Sequence, residues 1–398
     1  MSLVPVDEAR RLLLAGVEPL GAETVPLAEA AGRVLADDVA ARRTQPPFDA
    51  SAMDGYAARS VDLARAPVML KVIGEAAAGR GFAGTVGRLE AVRIFTGAPL
   101  PDGADTILIQ ENARRAGATV TAMASEPEGR FVRPAGLDFR EGEVLLAAGR
   151  RIDERALSLA AAMNHAALPV RRRPRVAILA TGDELVNPGD TPAADQIVAS
   201  NAYGIAALVR AAGGEPVDLG IAPDDLSEIR RRIAAAAGAD VVVLLGGASV
   251  GDHDFTRQAL TAEGYILDFW KIAMRPGKPL MSGRRGGRLA LGLPGNPVAS
   301  LVCGRLFLMP LIAALLGRPD TAPEEEAAVL AADLPENDQR QDYLRARLER
   351  RAGTLVALPF PVQDSSMLAV MAAADALVVR EPHAPAAKAG DACRVVRL

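Results

Sequence analysis

The sequence predicts a multidomain protein of α/β and β class, built around a central three-layer α/β domain whose sheet is mostly parallel. Val241 to Leu245 (VVVLL) is an unbroken apolar run, and a run without alternation fits a strand covered on both faces. It leads straight into Gly246-Gly247. Two other stretches end in the same way: Arg175 to Leu185 (RVAILATGDEL) exits into Thr181-Gly182-Asp183-Glu184, and Leu289 to Pro297 (LALGLPGNP) exits into Gly295-Asn296. Around them, strand-like runs alternate with helix-like segments of about ten residues, the pattern of a parallel sheet wrapped by helices. Ligands of open parallel sheets sit beyond the carboxyl ends of the strands, so three glycine-bearing exits predict one shared site.

At 398 residues the chain exceeds what one core usually holds, which predicts two to four domains. Half the residues are hydrophobic and 24% are charged, a composition that folds throughout. A net charge of −4 argues against a nucleic-acid surface, while leaving room for a local basic patch that binds a small anion. Cys303 and Cys393 have neither a metal-ligand spacing nor a partner pattern for disulfides, which points to a reducing cytoplasm. The N-terminus has charges inside its apolar stretch and reads as an amphipathic helix rather than a secretory signal. Leu301 to Leu316 falls short of a membrane span and contains Arg305 and Pro310, so a buried helix is expected and no membrane association.

In chain order, helices are predicted over Val6 to Leu14 and Pro26 to Ala31, with Gly32 as a stop. Gln45-Pro46-Pro47-Phe48 cannot continue a helix, and Asp49 to Tyr56 is small, acidic and turn-prone. From Val68 to Ile109, short β-type runs separated by glycines and prolines predict a small β-rich domain. Asp153 to Ala167 is an alanine-rich helical stretch that resembles the first segment, so the β-rich domain reads as an insertion into a helical platform. Arg171 to Pro174 (RRRP) reads as a solvated hinge. The α/β domain then predicts helices over Ala202 to Ala212 and Leu226 to Ala237, a strand over Glu215 to Ile221, and a helix opening at Pro297 whose amides could face an anion. The tail returns to short β-type runs. The expected boundaries are 1–46 and 139–173 for the platform, 47–138 for the insertion, 174–322 for the α/β domain and 323–398 for a closing, barrel-like β domain.

Acids gather at the exits: Asp183 and Glu184, Asp224 and Asp225, Asp252 and Asp254. Converging acids would repel an anionic substrate unless a divalent cation such as magnesium joined them to phosphate oxygens. The competing reading is that these acids cap helices and fix turns. Between Trp270 and Pro279, Lys271, Arg275 and Lys278 lie on a backbone stiffened by two prolines, an anion receptor if it is not simply a solvated loop. His253, between two acids, reads as structural more readily than as a ligand. GGASVG at Gly246 lacks the Lys and Ser/Thr ending of a P-loop, which excludes that route to ATP hydrolysis.

Together, SAMDGYA at Ser51, FTGAPLPDGAD at Phe95, TGDEL at Thr181, GGASVGDHDFT at Gly246, WKIAMRPGKP at Trp270 and GLPGNP at Gly292 resemble the MoeA-type molybdopterin molybdenumtransferases, a family that includes the gephyrin E domain. The motifs keep the family's order and spacing over nearly the whole chain. The resemblance implies an elongated homodimer of four-domain subunits, one domain sharing its fold with MogA-type adenylyltransferases. It also implies the reaction: adenylylated molybdopterin is cleaved at its phosphoanhydride, AMP leaves, and molybdate enters the dithiolene. A MogA-type adenylyltransferase upstream and molybdoenzyme maturation downstream are the implied partners.

Carried over by position, the resemblance implies catalytic roles for Asp54, Thr96, Glu184 and Asp254, with Asp54 and Thr96 reaching the site from the insertion across a dimer interface. Magnesium would be held by Glu184 and Asp254 with Asp224. The pterin substrate would lie against Thr181, Gly182 and Asp183, against Gly246, Gly247, Ser249 and Gly251, and against Pro294, Gly295, Asn296 and Pro297, with Arg133 and Asp138 contributing from a looser motif. Molybdate would be met by Lys271, Arg275, Lys278, Ser300, Arg345 and Ser365. Two positions depart from the pattern: Arg275 stands where many relatives have Lys, keeping the charge on a planar fork, and Ala299 stands where relatives often have Ser, leaving a hydroxyl contact to Ser300. The alternatives are an adenylyltransferase of the preceding step and a non-catalytic dimeric scaffold that binds the pterin.

Overall fold

The structure is a computed structural model, and it describes residues 3–247 and 255–398. The central sheet has the strand order Glu215–Ala222, Arg175–Thr181, Val241–Leu245, Arg288–Leu293, Met281–Arg285, Ile266–Phe269. The first four strands are mutually parallel and the last two add as an antiparallel edge. The unbroken apolar run is explained by its neighbours. Val241, Val243 and Leu245 face one hydrophobic cluster, Val242 and Leu244 face the other, and all five are buried.

Local chemistry sets the helix ends. Asp225 caps the Leu226–Ala235 helix, its Oδ1 accepting from the Glu228 N–H at 2.8 Å, so this acid is a helix cap, as the competing reading allowed. Asn201–Ala212 stops at Gly213, whose φ of 97° lies in the left-handed region. Pro297 occupies the first turn of the apolar helix, which runs on through a π turn at Gly304–Leu308 to Leu315. By length and composition this helix could cross a membrane, but 78% of the stretch is buried inside the fold. It is the core helix of the α/β domain.

Val6–Leu14 is helical as its periodicity predicts. Its buried face, Val6, Ala9 and Leu13, packs against the α/β core and not into the platform. The reason is backbone pairing just before it: the Val4 N–H donates to the Lys271 carbonyl at 3.1 Å, and Val4 accepts from the Ala273 N–H at 2.7 Å. The platform has its own core, in which Val25, Leu35 and Val39 meet Phe139, Ile152 and Val170 across the insertion. Both predicted platform helices are shorter than expected, Leu27–Ala30 and Glu154–Ala162, because flanking residues pair as antiparallel strands, Ala22–Pro26 with Ala167–Arg171.

The RRRP stretch is no solvated hinge. Arg171 donates to the Leu20 and Ala36 carbonyls, and Arg172 forms a two-pronged ion pair with Asp240 at 2.6 and 2.8 Å. The inserted segment holds a six-stranded sheet, Thr106–Ile109, Gly55–Ala58, Glu90–Ile94, Val68–Ala76, Thr119–Ala122, Ala113–Ala116. In the tail, Glu325–Leu330, Gln341–Arg351, Thr354–Pro359, Ala376–Arg380 and Ala392–Arg397 close into a five-stranded barrel. The start of Gln341–Arg351 also pairs in parallel with Met274–Arg275, which stitches the barrel to the α/β domain.

Phe307 is fully buried on the core helix, so Phe307→Ala should lower unfolding free energy by about 3–5 kcal/mol. The chain's single Trp, at 270, lies in the same domain and reports urea unfolding by fluorescence; a loss below about 1 kcal/mol contradicts the assignment of this helix as core.

Candidate active site

Three strand exits lie side by side because their strands are neighbours in register: Ala180 is opposite Leu245, and Leu245 is opposite Leu293. The loops therefore touch. A Cβ on Gly246 (φ 99°) would sit 2.7 Å from the Thr181 carbonyl oxygen, and one on Gly247 (φ 65°) would sit 2.6 Å from Thr256 Oγ1. Neither contact is tolerable, so glycine is required twice for close approach and for backbone conformation. Thr256 Oγ1 donates to the Gly246 carbonyl at 2.9 Å and holds this turn from below.

A cavity of about 1050 Å³ opens over the exits, at the upper end of the range for small-molecule sites. Thr181, Gly182, Glu184, Asp224, Gly246, Gly247, Pro294, Gly295, Asn296 and Pro297 all line it. The Glu184 carboxylate folds over Gly182, so close that a Cβ there would meet Oε2 at 2.3 Å. Asp183 supports the neighbouring exit, its Oδ1 accepting from the Asp224 N–H at 3.1 Å. Thr181 is buried and its Oγ1 has no hydrogen-bond partner among the described residues. Asp254, Ser249 and Gly251, with Asp252 and His253, lie outside the described residues. No cluster of three or more His, Cys, Asp or Glu suited to a metal occurs among the described residues; the described carboxylates at the cavity are Glu184 and Asp224 at the strand exits and Asp364 on the opposite wall.

The far wall comes from the barrel: Arg340, Gln363, Asp364, Ser365, Ser366 and Leu368 complete the lining. Asn296 Nδ2 donates to Ser365 Oγ at 2.8 Å and the Val298 N–H donates to the Ser365 carbonyl at 3.1 Å, which fixes that loop to the helix start. Arg345 lies beneath the loop, fully buried. Its Nε donates to Gln363 Oε1 at 2.9 Å and its Nη1 to the Asp364 carbonyl at 2.6 Å, while Nη2 has no partner among the described residues. Ser300, one turn into the helix, is buried with its Oγ equally unpartnered.

The expected cation trio is not brought together. Lys278 is exposed and lines the cavity. Lys271 does not line it; its Nζ lies 4.0 Å from the Trp270 ring centroid, a cation–π contact that takes the charge elsewhere. Arg275 borders the cavity, but its guanidinium is engaged by the barrel, with Nε donating to Asp342 at 2.8 Å, Nη2 to Asp342 and to Asn337, and Nη1 to Asp338 at 3.3 Å. Burial lifts the Asp342 carboxyl above its ordinary range against the pull of Arg275, and the bond to Asp342 raises Arg275. Arg275 is thus a strut between domains in place of the free anion contact expected.

Asp54 and Thr96 meet each other but do not line this cavity. Asp54 Oδ1 accepts from the Thr96 N–H at 2.8 Å and Oγ1 at 2.9 Å, and these bonds, the backbone one foremost, hold its pKa below the ordinary value. Arg133 is nearby through the pairing of Val132–Arg133 with Ala50–Ser51, and the Asp138 N–H donates to the Gln45 carbonyl at 3.0 Å. All four belong to the inserted segment and its base. Sequence reasoning missed Asn201, which ties the third exit by donating to the Gly295 carbonyl at 2.7 Å, and Arg340; an Asn at a helix start and an Arg among loop acids carry no distinctive signal.

Three family models cover the chain in order: the MoeA N-terminal region (domain I and II) matches residues 4–164, a probable molybdopterin binding domain matches 177–314, and the MoeA C-terminal region (domain IV) matches 327–398. The chain belongs to the MoeA-type molybdopterin molybdenumtransferase family. It is 36% identical over 362 residues to molybdopterin molybdenumtransferase 2 of Mycobacterium tuberculosis, covering 88% of this chain and 89% of the relative. It is 34% identical over 388 residues to the molybdopterin molybdenumtransferase of Bacillus subtilis, covering 94% and 90%. A crystal structure of the molybdopterin biosynthesis moeA protein from Pyrococcus horikoshii superposes with a TM-score of 0.86 at 28% identity, covering 100% of both chains. This agrees with the expected multidomain α/β and β class.

The Asp54–Thr96 pair gives a pH prediction. Asp54 should titrate below an ordinary Asp and remain ionised through the neutral and mildly acidic range. In Thr96→Val one of two donors is lost, so the midpoint read by NMR should move part of the way up; an unchanged midpoint contradicts the pairing.

Proposed function

We propose that this protein inserts molybdate into adenylylated molybdopterin, with cleavage of the phosphoanhydride and release of AMP. One observation carries the reading: carboxylates, Glu184 and Asp224 among them, and the exposed cation Lys278 line a single cavity with glycine-flanked exits and the start of the core helix. An anionic, dinucleotide-sized substrate needs this combination of close backbone, fixed dipoles and opposed charge.

Glu184 and Asp224, with Asp254, would hold magnesium, since hard carboxylate oxygens suit that ion, and it would supply positive charge at the phosphoanhydride. Lys278 and Ser365 hold the molybdate oxyanion, and the buried Ser300 Oγ and Arg345 Nη2 are donors without an acceptor among the described residues. A water attacks phosphorus and loses its proton to solvent, the bridging P–O bond breaks and AMP departs with the pterin phosphate left free, and the dithiolene sulfurs then replace molybdate oxygens, which leave as water. The backbone of Gly246, Gly247 and Gly295 admits the substrate closely.

A second copy of the chain completes the site in this reading, presenting Asp54 and Thr96 to the cavity of the first. Met53, next to Asp54 in the chain, and Phe48 and Leu137 of the same inserted segment are all exposed and apolar, which supports a buried contact on that segment. An adenylyltransferase of the MogA type supplies the substrate, apo-molybdoenzymes receive the product, and the reaction takes place in the cytoplasm.

The test is AMP release from adenylylated molybdopterin by purified protein, with molybdate and magnesium supplied separately and together. AMP should form only with both, chelation should stop it, and Glu184→Gln should cut the rate by at least about 100-fold with the fold intact. Normal AMP release by Glu184→Gln removes the acid from the mechanism; tight pterin binding without AMP under any condition leaves only a binding protein.

A further inference from the structure

The described cations at the cavity are Arg275, Lys278 and Arg340. A doubly charged oxyanion entering a space that also holds Glu184 and Asp224 needs more than one positive partner, because like charges at such distances oppose binding. Arg275 does not supply it. Its guanidinium donates to three side chains of the barrel, those of Asn337, Asp338 and Asp342.

Arg340 is held differently. Its Nη2 donates to Asp338 Oδ2 at 2.9 Å and its Nε lies 3.5 Å from Oδ1, so a single carboxylate grips one edge of the fork. Asp338 also receives Arg275 and is therefore shared. The loop is preorganised at the backbone as well: the Arg340 N–H donates to Asp338 Oδ1 at 2.8 Å, and its carbonyl accepts from Asn337 Nδ2 at 2.8 Å. Asp338 is held down at about 2 by these bonds, first of all the Arg340 side chain, so it stays ionised and keeps its grip at any working pH. A guanidinium has five donors, and one edge bound to a carboxylate leaves Nη1 and the remaining Nη2 hydrogen for a tetrahedral oxyanion. The Arg340 side chain is 26% exposed, enough to meet a ligand and too little to be a free surface charge.

We propose that Arg340 binds the molybdate oxyanion, acting with Lys278 in the role that the family pattern assigns to position 275. The inference rests on the molybdate-inserting reading above. Arg340 brings the oxyanion into contact with the barrel, so anion binding and the docking of the barrel on the α/β domain are coupled through Asp338.

The experiment measures molybdate alone binding to purified full-length protein by calorimetry, alongside the molybdate KM and kcat for AMP release. Arg340→Gln should weaken molybdate binding and raise its KM by about tenfold or more, with a smaller effect on kcat and none on AMP affinity. Arg340→Lys should recover part of the loss by restoring the charge, which a purely structural role would not. Arg275→Gln should lower the melting temperature and, acting on the anion only through the shared Asp338, weaken molybdate binding less than Arg340→Gln does; an equal or larger loss of molybdate affinity in Arg275→Gln counts against the proposal. Wild-type molybdate affinity in a folded Arg340→Gln protein overturns the proposal. A wild type that neither binds molybdate nor releases AMP overturns the functional reading beneath it as well, so the two failures are distinguishable.

Discussion

The floor of the cavity depends on three parallel strands ending at one level. Ala180, Leu245 and Leu293 are paired across the sheet, so the loops beyond them begin side by side. That alignment leaves no room for side chains between Thr181 and Gly246, and glycine follows from geometry alone. The strands can be level only because both faces are covered. The N-terminal helix and core helix pack on one side, and the helices Leu226–Ala235 and Phe255–Ala262 on the other. Core packing thereby fixes where backbone amides and acids can meet a substrate.

The second dependence is on the barrel. The α/β domain builds a floor of exits, and the opposing wall is made by residues some seventy positions later in the chain, as the Asn296–Ser365 hydrogen bond illustrates. The seam is held by the pairing of Met274–Arg275 with Gln341–Asp342 and by the Arg275–Asp342 ion pair. Because burial lifts Asp342 while Arg275 pulls it down, this pair is both partly desolvated and well bonded. Removing one partner would leave the other poorly satisfied, the costly way to break such a contact. The same loop, through Asp338, then positions Arg340.

Much of this was legible in sequence, for reasons that can be named. Val241–Leu245 could be read as a doubly covered strand because both faces of it are apolar, and Asp225 and Pro297 mark helix starts through chemistry local to the chain. The exits were legible because their glycines are required by close approach. What escaped was settled by partners far away in sequence. Nothing in WKIAMRPGKP says that Lys271 stacks on its own Trp270 or that Arg275 finds Asp342; the sequence shows the charge and hides its acceptor. Val6–Leu14 was predicted as a helix, yet its destination depended on Val4 pairing with residues 271 and 273.

The central claim, that the exits and the barrel loop enclose one oxyanion site, is tested most directly by anomalous diffraction from crystals soaked in tungstate, the heavier analogue of molybdate. The account predicts a tungsten peak in the cavity within hydrogen-bonding reach of Lys278 and Ser365. A strong peak elsewhere on the protein, with this cavity empty, would contradict it.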